Sequence, residues 1–156
     1  MLETYPDLEV LLIPIGGGGL IAGCAIAAKG IRPDIEVIGV QTERFPAMQQ
    51  ALQGVPIECG QTTIAEGIAV KEPGGLTLPL VQEFVDEILV VEESEIEKAV
   101  LLLLEVEKTV VEGAGAVGLT AVLGNRDRFE GRKVGLILSG GNIDLLVLSS
   151  MIQRGL

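Results

Sequence analysis

Histidine is absent from the sequence, and so is tryptophan. Without histidine the chain lacks the commonest general base and metal ligand. Any chemistry must therefore lean on carboxylates, lysine, hydroxyls, backbone groups or a cofactor. Aromatics are reduced to Tyr5, Phe45, Phe84 and Phe129, which leaves valine, isoleucine, leucine and alanine to build the core, as suits a buried parallel sheet flanked by helices. Positive charge is scarce: 11 Lys and Arg stand against 22 Asp and Glu, a formal net charge of −11. A surface of that sign argues against nucleic acid and anionic membranes as partners. An anionic small ligand would have to be held by local dipoles instead of the overall field. The two cysteines, Cys24 and Cys59, have no metal-ligand spacing and read as reduced thiols of a cytoplasmic protein. No apolar run reaches the roughly 18 residues of a membrane span, and acidic Glu3 and Asp7 argue against a signal peptide.

What the chain does have is enough apolar residues, 48% of 156, for one domain with its own core. Its organising stretch is Val10-Leu11-Leu12-Ile13-Pro14-Ile15 followed by Gly16-Gly17-Gly18-Gly19-Leu20. The first six residues form an apolar run too short for a buried helix and read as a buried parallel strand. Four glycines then lead into an alanine-rich helical pattern. Glycines let backbone N–H groups turn inward and approach an anion closely, and the helix N-terminus behind them adds unpaired donors and partial positive charge. Residues 16–20 are therefore expected to bind a phosphate ester.

Further along, the pattern predicts a helix over 20–29 stopped by Gly30, a strand over 36–41, a short helix over 46–53 and an irregular stretch over 54–75. Such a long irregular stretch inside a small domain points to function or to a covering partner. A short helix over 77–84 and a strand over 87–91 follow. The longest helix is expected to start at Ser94, with Ser94 and Glu97 as a capping box. Its apolar stripe would be Ile96, Ala99, Val100, Leu103, Val106 and Val110. After the break at Glu112-Gly113-Ala114-Gly115-Ala116, a helix of small residues runs to Leu123. A polar loop (126–132), a strand (133–138) and a last helix (144–153) complete the chain. This order predicts an α/β fold: an open, mainly parallel twisted sheet of about four strands with helices on both faces, in one domain over residues 1–156.

In such a sheet, ligands bind beyond the C-terminal ends of the strands. Two glycine clusters fall there, 16–19 and Ser139-Gly140-Gly141-Asn142, and the pair points to a ligand cleft. A competing reading is a dinucleotide site, since Gly17-x-Gly19-x-x-Ala22 fits the loose fingerprint. That site wants an acid at the end of strand two, where Gln41 stands, with Glu43 two residues late.

Four motifs occur in order: Pro14-Ile15-Gly16-Gly17-Gly18-Gly19-Leu20, Thr63-Ile64-Ala65-Glu66-Gly67, Glu112-Gly113-Ala114-Gly115-Ala116 and Leu138-Ser139-Gly140-Gly141-Asn142-Ile143-Asp144. Together they resemble the C-terminal half of the threonine/serine dehydratases, pyridoxal-phosphate (PLP) enzymes of the tryptophan synthase β-like fold (fold type II). The resemblance implies that Gly16, Gly17, Gly18, Gly19 and the Leu20 amide cradle the PLP phosphate. It also implies that Ser139, with Gly140 beside it, meets the pyridine nitrogen, that Gly67 lies against the cofactor and that Glu112 stands near the ring edge. Glu66 occupies a position where the pattern usually has Asp. The implied reaction of the complete enzyme is elimination of water from L-threonine or L-serine, giving a 2-oxo acid and ammonia.

The departures from the family pattern are as informative. The lysine that anchors the cofactor, and the loop that holds the substrate carboxylate, belong to an N-terminal half that this sequence does not contain. Lys29, Lys71, Lys98, Lys108 and Lys133 all lack the expected setting. Some relatives bind a divalent cation just after strand two; Gln41, Phe45 and Ala47 stand at those places, so no metal is expected. The chain is thus expected to be inactive alone, and to form a homo-oligomer or pair with an N-terminal half. Two other readings stay open: a non-catalytic interaction module of degenerate PLP fold, and a dinucleotide-binding α/β domain.

Overall fold

Four strands run parallel in one open sheet of order β3-β2-β1-β4. The structure, a computed structural model, describes residues 1–155. The strands are β1 (Val10–Pro14), β2 (Glu36–Thr42), β3 (Glu87–Val91) and β4 (Val134–Leu136). The helices are α1 (Gly19–Ile31), α2 (Ala47–Gln53), α3 (Thr77–Phe84), α4 (Glu93–Glu105), α5 (Gly113–Gly124), α6 (Arg126–Phe129) and α7 (Leu145–Gly155), with one 3-10 turn at Glu66–Ile68. Successive strand side chains point to opposite faces, and the core divides accordingly. Val10, Leu12, Ile38 and Val40 pack against α4, α5 and α7. Leu11, Ile13, Ile15 and Val37 pack against α1, Met48 of α2 and Val81 of α3. Helices therefore cover both faces, as the apolar runs predict. No helix among the described residues is long and apolar enough to cross a membrane.

Several local expectations give way to tertiary contacts. Helix α1 runs one residue past Gly30. Its C-cap is Arg32, whose guanidinium donates to the carbonyls of Pro6 at 2.7 Å and Leu8 at 2.6 Å. Helix α4 starts at Glu93 with Glu92 as N-cap and no side-chain cap, so the Ser94 capping box does not form. The same helix ends at Glu105, and Lys108 takes a left-handed φ of 54°. The turn lets the chain double back to pair Glu112 N–H with the Gly140 carbonyl at 3.0 Å. It also removes Val106 and Val110 from the expected buried stripe and leaves both exposed. Strand β4 is three residues long where six were expected.

The loop expected over 126–132 contains the short helix α6, anchored by buried Phe129. It carries Arg128 to Glu36 at 2.7 Å and Glu87 at 2.6 Å, while Arg132 reaches Glu36 at 2.7 Å. These pairs tie together the starts of β2 and β3, at the end of the sheet opposite the glycine clusters. Burial pushes the Glu36 carboxyl up, but the hydrogen bonds from Arg132 and Arg128 outweigh it and hold it below its ordinary value. A depressed folded pKa stabilises above the unfolded value of about 4.3, and that stability is lost as pH falls through the folded value. Glu36→Gln should therefore lower the urea midpoint at pH 7, and the gap from the wild type should close on acidification below pH 4; urea melts across pH measure both.

Candidate functional site

The C-terminal edge of the parallel sheet carries a cleft of about 290 Å³. Its lining is Pro14, Gly16, Gly17, Gly18, Gly19, Leu20, Gly67, Ile68, Glu112, Ala114 and Ser139. Four segments far apart in sequence meet there: three follow a strand or begin a helix at this edge, and the fourth is a loop folded against them. Gly16–Gly19 leave β1, Ser139 follows β4, Glu112 caps α5, and Gly67 lies in the 3-10 turn of the loop after α2. Of the residues expected from sequence, all but Gly140 line the cleft, and Gly140 packs directly behind Glu112. A Cβ at Gly140 would overlap Glu112 Oε1, and one at Gly67 would stand 3.2 Å from the same oxygen. Small residues on both sides thus hold the Glu112 side chain in place. Glu112 is the N-cap of α5 yet makes no capping bond, and its carboxylate faces the cleft.

Glu112 is the only charged side chain in the lining. What the cleft offers an anion is backbone. Gly19 and Leu20 are the first residues of α1, and Ala114 belongs to the first turn of α5, so two helix N-termini open onto one space. Gly18 has φ 94°, a left-handed value, and a Cβ there would come within 2.7 Å of Met48 Cε and Thr77 Oγ1. Only glycine fits that position. A phosphate ester fits this chemistry: close backbone approach, unpaired helical N–H donors and no competing side chain. Ser139, at the far wall, supplies a hydroxyl that both donates and accepts.

Glu93, which sequence reasoning passed over, organises the loop that carries Gly67. Its Oε1 accepts from Thr42 Oγ1 and Thr63 Oγ1, both at 2.5 Å, and its Oε2 accepts from Ile64 N–H at 2.8 Å. Thr63 Oγ1 in turn accepts from Ala65 N–H at 3.0 Å. One carboxylate at the start of α4 thus joins the end of β2 to the Thr63–Gly67 segment. The available signal was a carboxylate just after strand three, at the same sheet edge as both glycine clusters.

Beyond β2, the fully buried Gln41 donates its amide N–H to the Phe45 carbonyl at 3.1 Å and accepts from Gln49 N–H at 2.9 Å. Both ends of the amide are engaged inward, so nothing at this position is presented to a ribose. No group of three or more His, Cys, Asp or Glu side chains stands together as a metal set among the described residues. The lysines lie elsewhere: Lys29 pairs with Asp86, Lys98 with Glu95, Lys133 with Asp7, and Lys108 donates to the Glu105 carbonyl. None of the five lines the cleft.

A parallel α/β sheet with a glycine cradle at its carboxyl edge defines a class, the domains that hold a phosphorylated cofactor by backbone. Within that class the chain belongs to the pyridoxal-phosphate dependent enzyme family, whose model matches residues 1–140. The family's cofactor is PLP. Among similar proteins are the L-threonine ammonia-lyase of Thermotoga maritima, 49% identical over all of this chain and 39% of the relative's length, and the catabolic L-threonine dehydratase of Escherichia coli K12, 43% identical over 97% of this chain and 47% of the relative. In structure the chain resembles maize serine racemase, with TM-score 0.86 and 35% identity over 99% of this chain and 50% of that one. It also resembles the processed form of threonine deaminase isoform 2 from Solanum lycopersicum, with TM-score 0.88 and 28% identity over 97% of this chain and 46% of that one. The chain spans about half or less of each of these proteins.

Removing the Glu93 carboxylate would leave the Ile64 N–H and two threonine hydroxyls without their acceptor. Glu93→Ala is expected to destabilise the fold by about 1–3 kcal/mol in urea melts. Amide hydrogen exchange in residues 63–68 should rise more than in β1.

Proposed function

We propose that residues 1–156 are the PLP-binding part of a threonine/serine ammonia-lyase. They form one α/β domain corresponding to the C-terminal half of the complete enzyme. The observation that carries this reading is the convergence of Gly16–Gly19, Gly67, Glu112 and Ser139 on one cleft. The names of the relatives support the reaction class. When bound, PLP supplies the electron sink that labilises the α-proton and lets the β-hydroxyl leave. The net reaction converts L-threonine to 2-oxobutanoate and ammonia, or L-serine to pyruvate and ammonia.

The chain's own residues have binding and orienting roles. The N–H groups of Gly16–Gly19 and Leu20 would hold the phosphate, and the α1 N-terminus would favour its negative charge. Ser139 would meet the ring nitrogen with a neutral hydroxyl, which would favour an unprotonated nitrogen and so damp the sink. That suits elimination over transamination. Gly67 would lie against the cofactor with its backbone, and Glu112 would stand near the ring edge. The anchoring lysine and the substrate-carboxylate loop come from an N-terminal half. In the cell the protein is expected to be cytoplasmic.

A further observation favours pairing with that half. Among the described residues, strand β4 pairs only with β1, which leaves its other edge open. Beside that edge lies a mainly apolar groove of about 390 Å³, lined by Leu102, Leu103, Val106, Leu119, Leu136 and Leu138 and by the single carboxylate of Glu107. An open edge and an apolar groove together are ready for a further strand or layer.

Titration of the purified chain with PLP, followed by fluorescence, should show noncovalent binding, with NAD as a control that does not bind. If neither binds, the chain is an interaction module that retains only the fold. Purified alone, it should self-associate on size-exclusion chromatography and form no 2-oxobutanoate from L-threonine. Supplying an N-terminal half should shift it to a defined complex; a measurable rate from the chain alone would contradict the division of labour.

A further inference from the structure

We propose that Thr77 is a positioning residue for the glycine cradle: its hydroxyl fixes the Gly17–Gly18 peptide so that the Gly18 N–H faces the cleft. This rests on reading the cradle as a phosphate site. Thr77 is the first residue of α3, 60 positions from Gly17, and its Oγ1 donates to the Gly17 carbonyl at 2.5 Å. The Gly74 N–H donates to the same carbonyl at 3.1 Å. Thr77 Oγ1 also lies 3.1 Å from the Gly74 carbonyl, but a hydroxyl has one proton, and the shorter contact takes it. Segment 74–77 is itself held by Thr77 N–H and Leu78 N–H, both bonded to the Gly74 carbonyl, at 3.0 and 2.9 Å.

The consequence follows from peptide geometry. In a trans peptide the C=O and the next N–H point in opposite directions, and the Gly17–Gly18 bond is trans like the others among the described residues. A Gly17 carbonyl tied back to α3 therefore turns the Gly18 N–H away from α3, toward the cleft that Gly17, Gly18 and Gly19 line. The tether matters because the glycines that permit close approach also permit the wrong orientation. A peptide between two glycines meets little steric resistance to flipping. Flipped, it would present a carbonyl lone pair where the cradle presents a donor, and that oxygen would repel a phosphate. Met48 and Thr77 pack against Gly18 and neither lines the cleft, so the hydroxyl acts from behind the loop.

The test compares wild type, Thr77→Val, Thr77→Ala and Thr77→Ser. Inorganic phosphate is titrated by phosphorus NMR and PLP by fluorescence, and the Gly18 amide resonance is followed in nitrogen–proton spectra. Losing the hydroxyl should weaken both ligands about tenfold, the size expected for one net hydrogen bond, and should move the Gly18 amide signal before any ligand is added. Thr77→Ser should stay within about twofold of wild type, because it keeps the donor. Thr77→Ala serves if the valine variant does not fold. In wild type, phosphate should shift the Gly18 amide. A wild type that binds both ligands without moving the Gly18 amide overturns the proposal and leaves the cradle intact. So does a Val or Ala variant that binds like wild type, or a Ser variant as weak as Val. A wild type that takes neither ligand overturns the phosphate reading itself, and the role of Thr77 with it.

Discussion

A chain of net charge −11 in a family whose cofactor is anionic has to solve an electrostatic problem. The cleft contains no lysine or arginine, and its one charged side chain, Glu112, has the wrong sign. The solution is backbone. Parallel strands put all their carboxyl ends at one edge, and the helices that follow β1 and precede the return to β4 open there with their N-termini. Free N–H donors and helix dipoles then supply locally the positive potential that the surface lacks. Every other feature of the site follows from keeping those donors exposed and aimed.

Backbone donors can be aimed only if something holds the backbone. Two remote hydroxyl or carboxylate clamps do this. Thr77 and Gly74 take the Gly17 carbonyl out of the cleft, and Glu93 gathers Thr42, Thr63 and Ile64 so that Gly67 lies against Glu112. Both clamps use short polar side chains from segments the chain has to bring in from far away. The opposite end of the sheet is held differently, by the ion-pair set Glu36, Glu87, Arg128 and Arg132. Charge pairs anchor the end away from the cleft; hydrogen bonds to hydroxyls and peptide groups shape the end that carries it.

Where local reasoning failed, long-range contacts had changed what a residue was for. Ser94 and Glu97 have the spacing of a capping box, but Glu93 is the residue bonded at that junction. The helix therefore starts one residue earlier, and Glu97 is free to pair with Arg154. Val106 and Val110 continue an apolar period, yet the chain leaves the helix before Lys108 to run beside Gly140. Segment 126–132 is polar throughout except Phe129 and Gly131, and burial of that one ring is enough to wind a turn of helix.

Sequence alone determined the layered α/β architecture, because unbroken apolar runs of about five or six residues bury on both faces of a sheet and nowhere else as readily. The positions of both glycine clusters at strand ends were legible for the same reason. So were Gly16–Gly19, Leu20, Gly67, Glu112 and Ser139, which sit in short contiguous motifs whose order carries the family resemblance. Only the tertiary structure decided how those motifs become one cleft and which way each peptide faces. A hydrogen bond between Thr77 and Gly17 spans 60 residues, and the one between Thr63 and Glu93 spans 30. Contacts at that separation leave no local period or spacing to read; they exist only once the parallel sheet has brought its ends to a common edge.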